Sequence, residues 1–401
     1  MLARLFLLAL AISAAPAQSL FQQVDGLVKT LSEITGWKVR RKVPSEMLSK
    51  QAFRKYVESR MKDSSNKQEI RAEELTLKMF GFVPPDFNLA SETVDLVSEQ
   101  AAAYYDYNKK RLFVLESTTE GLEQRVALAH ELAHALADQH HPLGKFLNKG
   151  SPDDDAETAR EAVMEGQATF LAWAAIAKTS GDVDINTVIE KLSKDSASDS
   201  SFPVFNKEPL YMRESLVFPY DAGLKFQFEI WKKQGAASFD ELFAHPPRST
   251  QQIMHPEEYL AQKQPLDPKP PPLNTKIAKQ FKLLGEGSMG EFDHNILFRT
   301  YVPEKEAVEA ATHWRGGNYR LYEHKREKYP VLTYVSEWDS PKSARHAFEL
   351  YQQVMHKRWK KMLVNEKTAD EVTGTGDSGR FRLWLSGTTI QSLEGLRAGE
   401  L

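Results

Sequence analysis

His130, Glu131 and His134 have the types and spacing that chemistry on a metal ion requires. Two histidines four positions apart share one face of an α-helix, so both imidazoles point the same way and can grip one ion. Glu131, beside the first of them, is placed to take a proton from a water activated by that ion. The surrounding run VALAHELAHALADQ keeps a helical apolar period (Leu122, Val126, Ala129, Ala133, Leu136) and meets no proline before Pro142, so one helix should carry all three. A helical His-Glu-x-x-His calls for zinc, one ion per chain.

Two histidines leave such a site incomplete, because a catalytic zinc takes three protein ligands and keeps a fourth position open. The residues offer several completions. Glu165 lies in Glu161-Ala162-Val163-Met164-Glu165-Gly166-Gln167-Ala168, within a second helical segment predicted from Ala156 to Lys178, and Glu161 lies one turn earlier on the same face. His140 fits the spacing HExxHxxGxxH except at Ala137, where that pattern has a glycine to turn the chain back. Asp138 shares the face of both histidines and suits an acceptor for an imidazole N–H.

HELAH followed by a helix bearing Glu-Gly-x-Ala resembles the gluzincin peptidases. The resemblance to their aminopeptidase branch implies Glu165 as third ligand, with Gly166 and Ala168 as small residues for close helix packing. Here the interval between His134 and Glu165 is longer than in that branch, and the acidic stretch SPDDDAE reads as a loop insertion. Thr169 stands where thermolysin-like members carry an aspartate that braces the first histidine, a role Asp138 is then expected to fill. VFPYDAGLKFQFEI (217–230) is similar to a segment of the same branch in which a Pro-Tyr pair opens a helix. The resemblance makes Tyr220 the donor to the oxyanion. PPRSTQQIMHPEEYL (246–260) is similar to a stretch of uncharacterised bacterial secreted proteins, and its His255 reads either as a cleft residue or as part of a turn.

The elements that must position these residues follow from pattern. Helical periods cover Val24–Ile34, Glu46–Met61 and Ile70–Met79, and Gly81 with Pro84-Pro85 ends them. Tyr104–Tyr107 and Arg111–Leu115 read as a hairpin turning at Asn108-Lys109, its edge suited to an extended peptide. The proline-rich segment 264–274 reads as a linker between a domain at 18–263 and a smaller α+β domain at 275–401. In the latter, helices are expected at Glu304–His313 and Ser340–Lys361, and strands at Tyr319–Glu323, Val331–Glu337, Phe381–Leu385 and Thr389–Leu393. Gly374-x-Gly376-x-x-Gly379 precedes a strand and no helix, so it reads as a turn and not a phosphate cradle. The basic run His356–Lys361 reads as a solvated helix end.

Residues 1–17 have an export signal's layout: Arg4, an apolar stretch Leu5–Ala14 too short to span a bilayer, and the small-residue site Ala15-Pro16-Ala17. A periplasmic or secreted protein with no stable membrane insertion is therefore expected. The chain contains no cysteine, which removes disulfides, Cys nucleophiles and Cys ligands. A net charge of −3 gives no electrostatic case for nucleic acid. The fold class expected is α+β, with a zincin-like catalytic domain made of metal helix, small twisted sheet and second ligand helix. The expected function is peptide-bond hydrolysis of a peptide or protein substrate, with Glu131 as base. The rivals are an inactive zincin-fold binding module and a zinc hydrolase of a non-peptide bond.

Overall fold

The computed structural model describes residues 17–62, 64–116, 121–147, 153–181, 183–194 and 202–400; apart from Ala17, the segment read as an export signal lies outside them. The architecture is α+β. In chain order the first elements are α1 (Ala17–Thr35), β1 (Ser45–Leu48), α2 (Lys50–Lys62), α3 (Ser64–Phe80), α4 (Leu89–Gln100), β2 (Ala103–Asp106) and β3 (Arg111–Leu115). Helices α5 (Leu122–His140), α6 (Leu143–Leu147), α7 (Asp154–Thr179), α8 (Ile185–Lys194), α9 (Leu210–Gln234), α10 (Ala237–Ala244), α11 (Thr250–Met254), α12 (Pro256–Leu260) and α13 (Thr275–Ala278) follow. The remainder is β4 (Phe281–Ser288), α14 (Glu291–Tyr301), α15 (Glu304–Ala311), β5 (Trp314–His324), β6 (Pro330–Trp338), α16 (Pro341–Arg358), β7 (Leu363–Lys367), β8 (Glu371–Gly376), β9 (Gly379–Ser386) and β10 (Thr389–Leu396). Among the described residues no helix is long and apolar enough to cross a membrane.

The small sheet has the order β1-β3-β2, with β3 parallel to β1 and antiparallel to β2. Its first strand corrects the helix expected from Glu46. Ser45–Leu48 pairs with Leu112–Leu115, and α2 starts only at Lys50, where the Ser49 hydroxyl accepts from the Ala52 N–H at 3.1 Å. Pairing with a partner more than sixty residues away outweighs local helical period here. Helix α4 also escaped the pattern, although Asn88 caps it by accepting from Ser91 N at 2.9 Å.

The acidic stretch before α7 is not a solvated loop among its described residues. Asp153 caps the helix through the Ala156 N–H, Asp154 and Asp155 form its first turn, and Asp155 is buried. Negative charge is favourable at that end of a helix. Helix α9 begins at Leu210, so Pro219 and Tyr220 lie inside it and do not open it.

The C-terminal sheet is antiparallel throughout, in the order β4-β5-β6-β10-β9-β8-β7. Gly374 and Gly376 end β8 and Gly379 starts β9, so the glycine motif is a hairpin corner. Residues 264–274 contain no helix or strand, yet one hydrophobic core runs past them. Phe80, Phe170 and Leu216 belong to the same cluster as Phe292, Trp314 and Tyr351. The basic run also departs from expectation. Arg358 is buried against Glu394 and donates to the carbonyls of Met79 and Phe80, which ties α16 to the end of α3.

Candidate metal centre

Helix α5 runs through the core, and His130, Glu131 and His134 are all buried on it. Helix α7 packs alongside, a consequence of its alanine-rich faces (Ala156, Ala159, Ala162, Ala168, Ala172), and it brings Glu165 across. Nε2 of His130 lies 3.0 Å from Nε2 of His134, and Oε2 of Glu165 lies 3.0 Å from the first and 3.1 Å from the second. Among the described residues this is the single group of three or more metal-ligating side chains whose ligand atoms converge.

The triangle has the dimensions of a small cation's ligand shell. Tetrahedral zinc at ~2.0–2.1 Å from each atom would space them roughly 3.3 Å apart, so a slight outward relaxation admits the ion. Two imidazoles and one carboxylate are also the donor types that zinc accepts. Electrostatics point the same way. Burial works to raise the Glu165 pKa, but the imidazoles, His134 foremost, outweigh it and hold the carboxyl down at about 2. Burial lowers the pKa of His130, whereas for His134 the charge and hydrogen bond of Glu165 overcome burial and raise it. The site favours a carboxylate partnered by positive charge.

Glu131 does not join the triangle. Its Oε2 accepts the Tyr105 N–H at 2.7 Å, so the edge strand β2 fixes its orientation through main chain. Burial pushes its pKa up to about 8, with the positive charge of His134 opposing the shift; a cation held by the triangle would oppose it further and favour the carboxylate form that a base needs. Tyr220 comes in from α9, its ring 5.8 Å from that of His130. Its Oη is buried close to the Glu165 carboxylate and makes no well-formed hydrogen bond. Burial, then the charges of Glu165 and Glu131, raise its pKa well above the ordinary phenol value, so it remains a donor.

The other sequence candidates lie elsewhere. Helix α5 continues past Ala137 to His140, whose Nε2 donates to the Lys38 carbonyl at 2.9 Å while its ring stacks on Trp37. The sharp turn that His140 would need is therefore absent. Glu161 is buried one turn before Glu165 and outside the triangle. Asp138 braces no histidine; it accepts from Tyr105 Oη at 2.9 Å, Lys110 Nζ at 2.6 Å and Leu143 N at 3.1 Å. The group facing Nδ1 of His130 is instead Thr169 Oγ1, at 3.4 Å. His255 pairs with buried Glu291 at 2.7 Å, a link between the α11–α12 junction and α14. The Tyr105 main-chain donor had no signal in the sequence, because no side-chain type marks it.

Residues 279–401 match one family model. Its description is Domain of unknown function (DUF8575). The match spans β4 to β10, covers less than half of the chain and leaves His130, His134 and Glu165 outside. No curated protein and no solved structure matches the chain.

Proposed function

We propose that this chain is an exported zinc-dependent peptidase of the gluzincin kind, with a zincin-like catalytic half built from α5, the β1-β3-β2 sheet and α7. The observation that carries the reading is the meeting of His130, His134 and Glu165 at 3.0–3.1 Å beside a carboxylate that is not itself a ligand. His130, His134 and Glu165 would hold the ion. When bound, zinc supplies a Lewis acid that brings the pKa of water towards ~7 and polarises a carbonyl.

The chain's own residues account for the rest of the reaction. Tyr105 N–H occupies Oε2 of Glu131 and leaves Oε1 to take the proton of the attacking water. As water oxygen bonds to the carbonyl carbon, negative charge moves to the carbonyl oxygen, and Tyr220 Oη donates a hydrogen bond to it. Glu131 then passes its proton to the amide nitrogen, the C–N bond breaks, and an amine and a carboxylic acid leave. The phenol's setting supports this role: its buried Oη lies near Glu165 but makes no well-formed hydrogen bond, and a buried hydroxyl that lacks a good acceptor costs free energy unless function supplies one.

The test is elemental analysis of chelator-free protein together with turnover of a mixed peptide library. The expected result is about one zinc per chain, cleavage abolished by chelator, and recovery on adding zinc. Protein without a transition metal would overturn the assignment, and metal-loaded protein that cleaves no peptide would favour a binding module or another scissile bond.

A further inference from the structure

We propose that Thr169 is a positioning residue for the metal centre, its hydroxyl holding His130 through Nδ1 so that Nε2 presents its lone pair to the ligand triangle. The inference rests on the metal reading above and adds a residue to it. Thr169 lies on α7 one turn after Glu165 and is only 7% exposed. Its hydroxyl carries one proton, and that proton is committed to the Glu165 carbonyl oxygen at 2.8 Å. Towards Nδ1 of His130, at 3.4 Å, the oxygen can therefore only accept. An acceptor at Nδ1 favours the tautomer with hydrogen on Nδ1 and a bare Nε2.

The arrangement is rigid for two reasons. A β-branched threonine in a helix has few rotamers, and the back-bond to the carbonyl four residues earlier fixes one of them. The same hydroxyl also touches the backbone of one ligand and the ring of another, so Glu165 and His130 are held in mutual register by one group. Asp138 does not do this work, since it is taken by Tyr105, Lys110 and Leu143. The contact is long and neutral, so its effect should fall at the low end of the 10–100-fold range typical of such partners.

The experiment measures the zinc dissociation constant of the whole chain by competition with a chromophoric chelator, and the unfolding midpoint of the metal-free protein. Thr169→Val keeps the shape of the side chain and loses the acceptor. It should bind zinc about tenfold more weakly, with a metal-free midpoint close to the parent's. Thr169→Ser keeps the hydroxyl and should stay within about threefold of the parent, on the same grounds. If the parent binds zinc and Thr169→Val binds it as tightly, this inference fails alone. An equal loss in Thr169→Ser also overturns it, because the missing methyl would then be the cause. A parent that holds no zinc overturns the metal reading and this inference together.

Discussion

Glu131 and Tyr220 divide the chemistry in a way that single substitutions can separate from metal binding. Glu131 lies beside the ligand triangle and takes its hydrogen bond from Tyr105 N, not from the ligands. Glu131→Gln should therefore retain zinc, measured by elemental analysis, while peptide turnover disappears, because an amide cannot accept the water's proton. Loss of zinc together with activity would make Glu131 a ligand or a fold determinant. Tyr220→Phe removes one donor to the oxyanion and leaves the ligands His130, His134 and Glu165 unchanged. A kcat loss of roughly 10²–10³ with little change in KM is expected, the usual size for one such donor. Unchanged kcat would return Tyr220 to an ordinary packing residue.

At the scale of elements, Glu165 and Tyr220 reach the histidines because α7 and α9 cross almost backbone to backbone. A Cβ at Gly223 would lie 2.1 Å from the Ala162 carbonyl oxygen, and one at Gly166 would lie 2.1 Å from the Gly223 carbonyl carbon. Gly-to-Ala inside a helix ordinarily gains up to ~1 kcal/mol in propensity. Here sterics must win, since neither clashing atom is the end of a flexible side chain. Gly223→Ala should destabilise by about 3 kcal/mol or more, read by denaturant unfolding. Parental stability would mean that the helices are not this close. Gly166 was expected at the close approach of α7 to the metal helix α5, but its tight partner is Gly223 of α9, which the sequence could not show. Pro219 hid that helix by reading as a boundary, because proline lacks the N–H that a helix interior uses. His130 and His134 were legible because their geometry depends on four residues of one helix. Asp138 was misread for the complementary reason: it lies on the right face, but its partners Tyr105 and Lys110 come from a hairpin that only the folded chain brings near. Strand β1 escaped in the same manner, since its pairing with β3 is non-local.

Across the whole molecule, the metal half and the C-terminal sheet share one core, and polar links run through the seam. Asp155 accepts from Thr250, Ser288 bonds Asp153, and Arg358 reaches the end of α3. Acidic groups concentrated there should make stability depend on pH in an unusual direction. Asp293, which accepts the Gly290 N–H at the start of α14, has its pKa pushed up to about 7, chiefly by burial, with the charge of Asp154 adding to it and the Gly290 bond opposing. An unfolded aspartate titrates near ~3.9, so the folded chain holds this proton more tightly than the unfolded chain does. Its contribution to stability is complete below pH ~4 and is lost as pH rises through about 7. Asp293→Asn keeps an oxygen acceptor for Gly290 and cannot ionise. The variant should lose less stability than the parent between pH 4 and 7, measured as unfolding midpoints of metal-free protein so that pH-dependent metal binding does not enter; the metal centre's own side chains titrate alike in both proteins. Neighbouring Asp155, also raised well above the ordinary range by burial, remains in both proteins, so the parent's slope should become shallower without vanishing. Parallel midpoint-against-pH curves for parent and variant would show that Asp293 is as readily ionised in the folded chain as in the unfolded one.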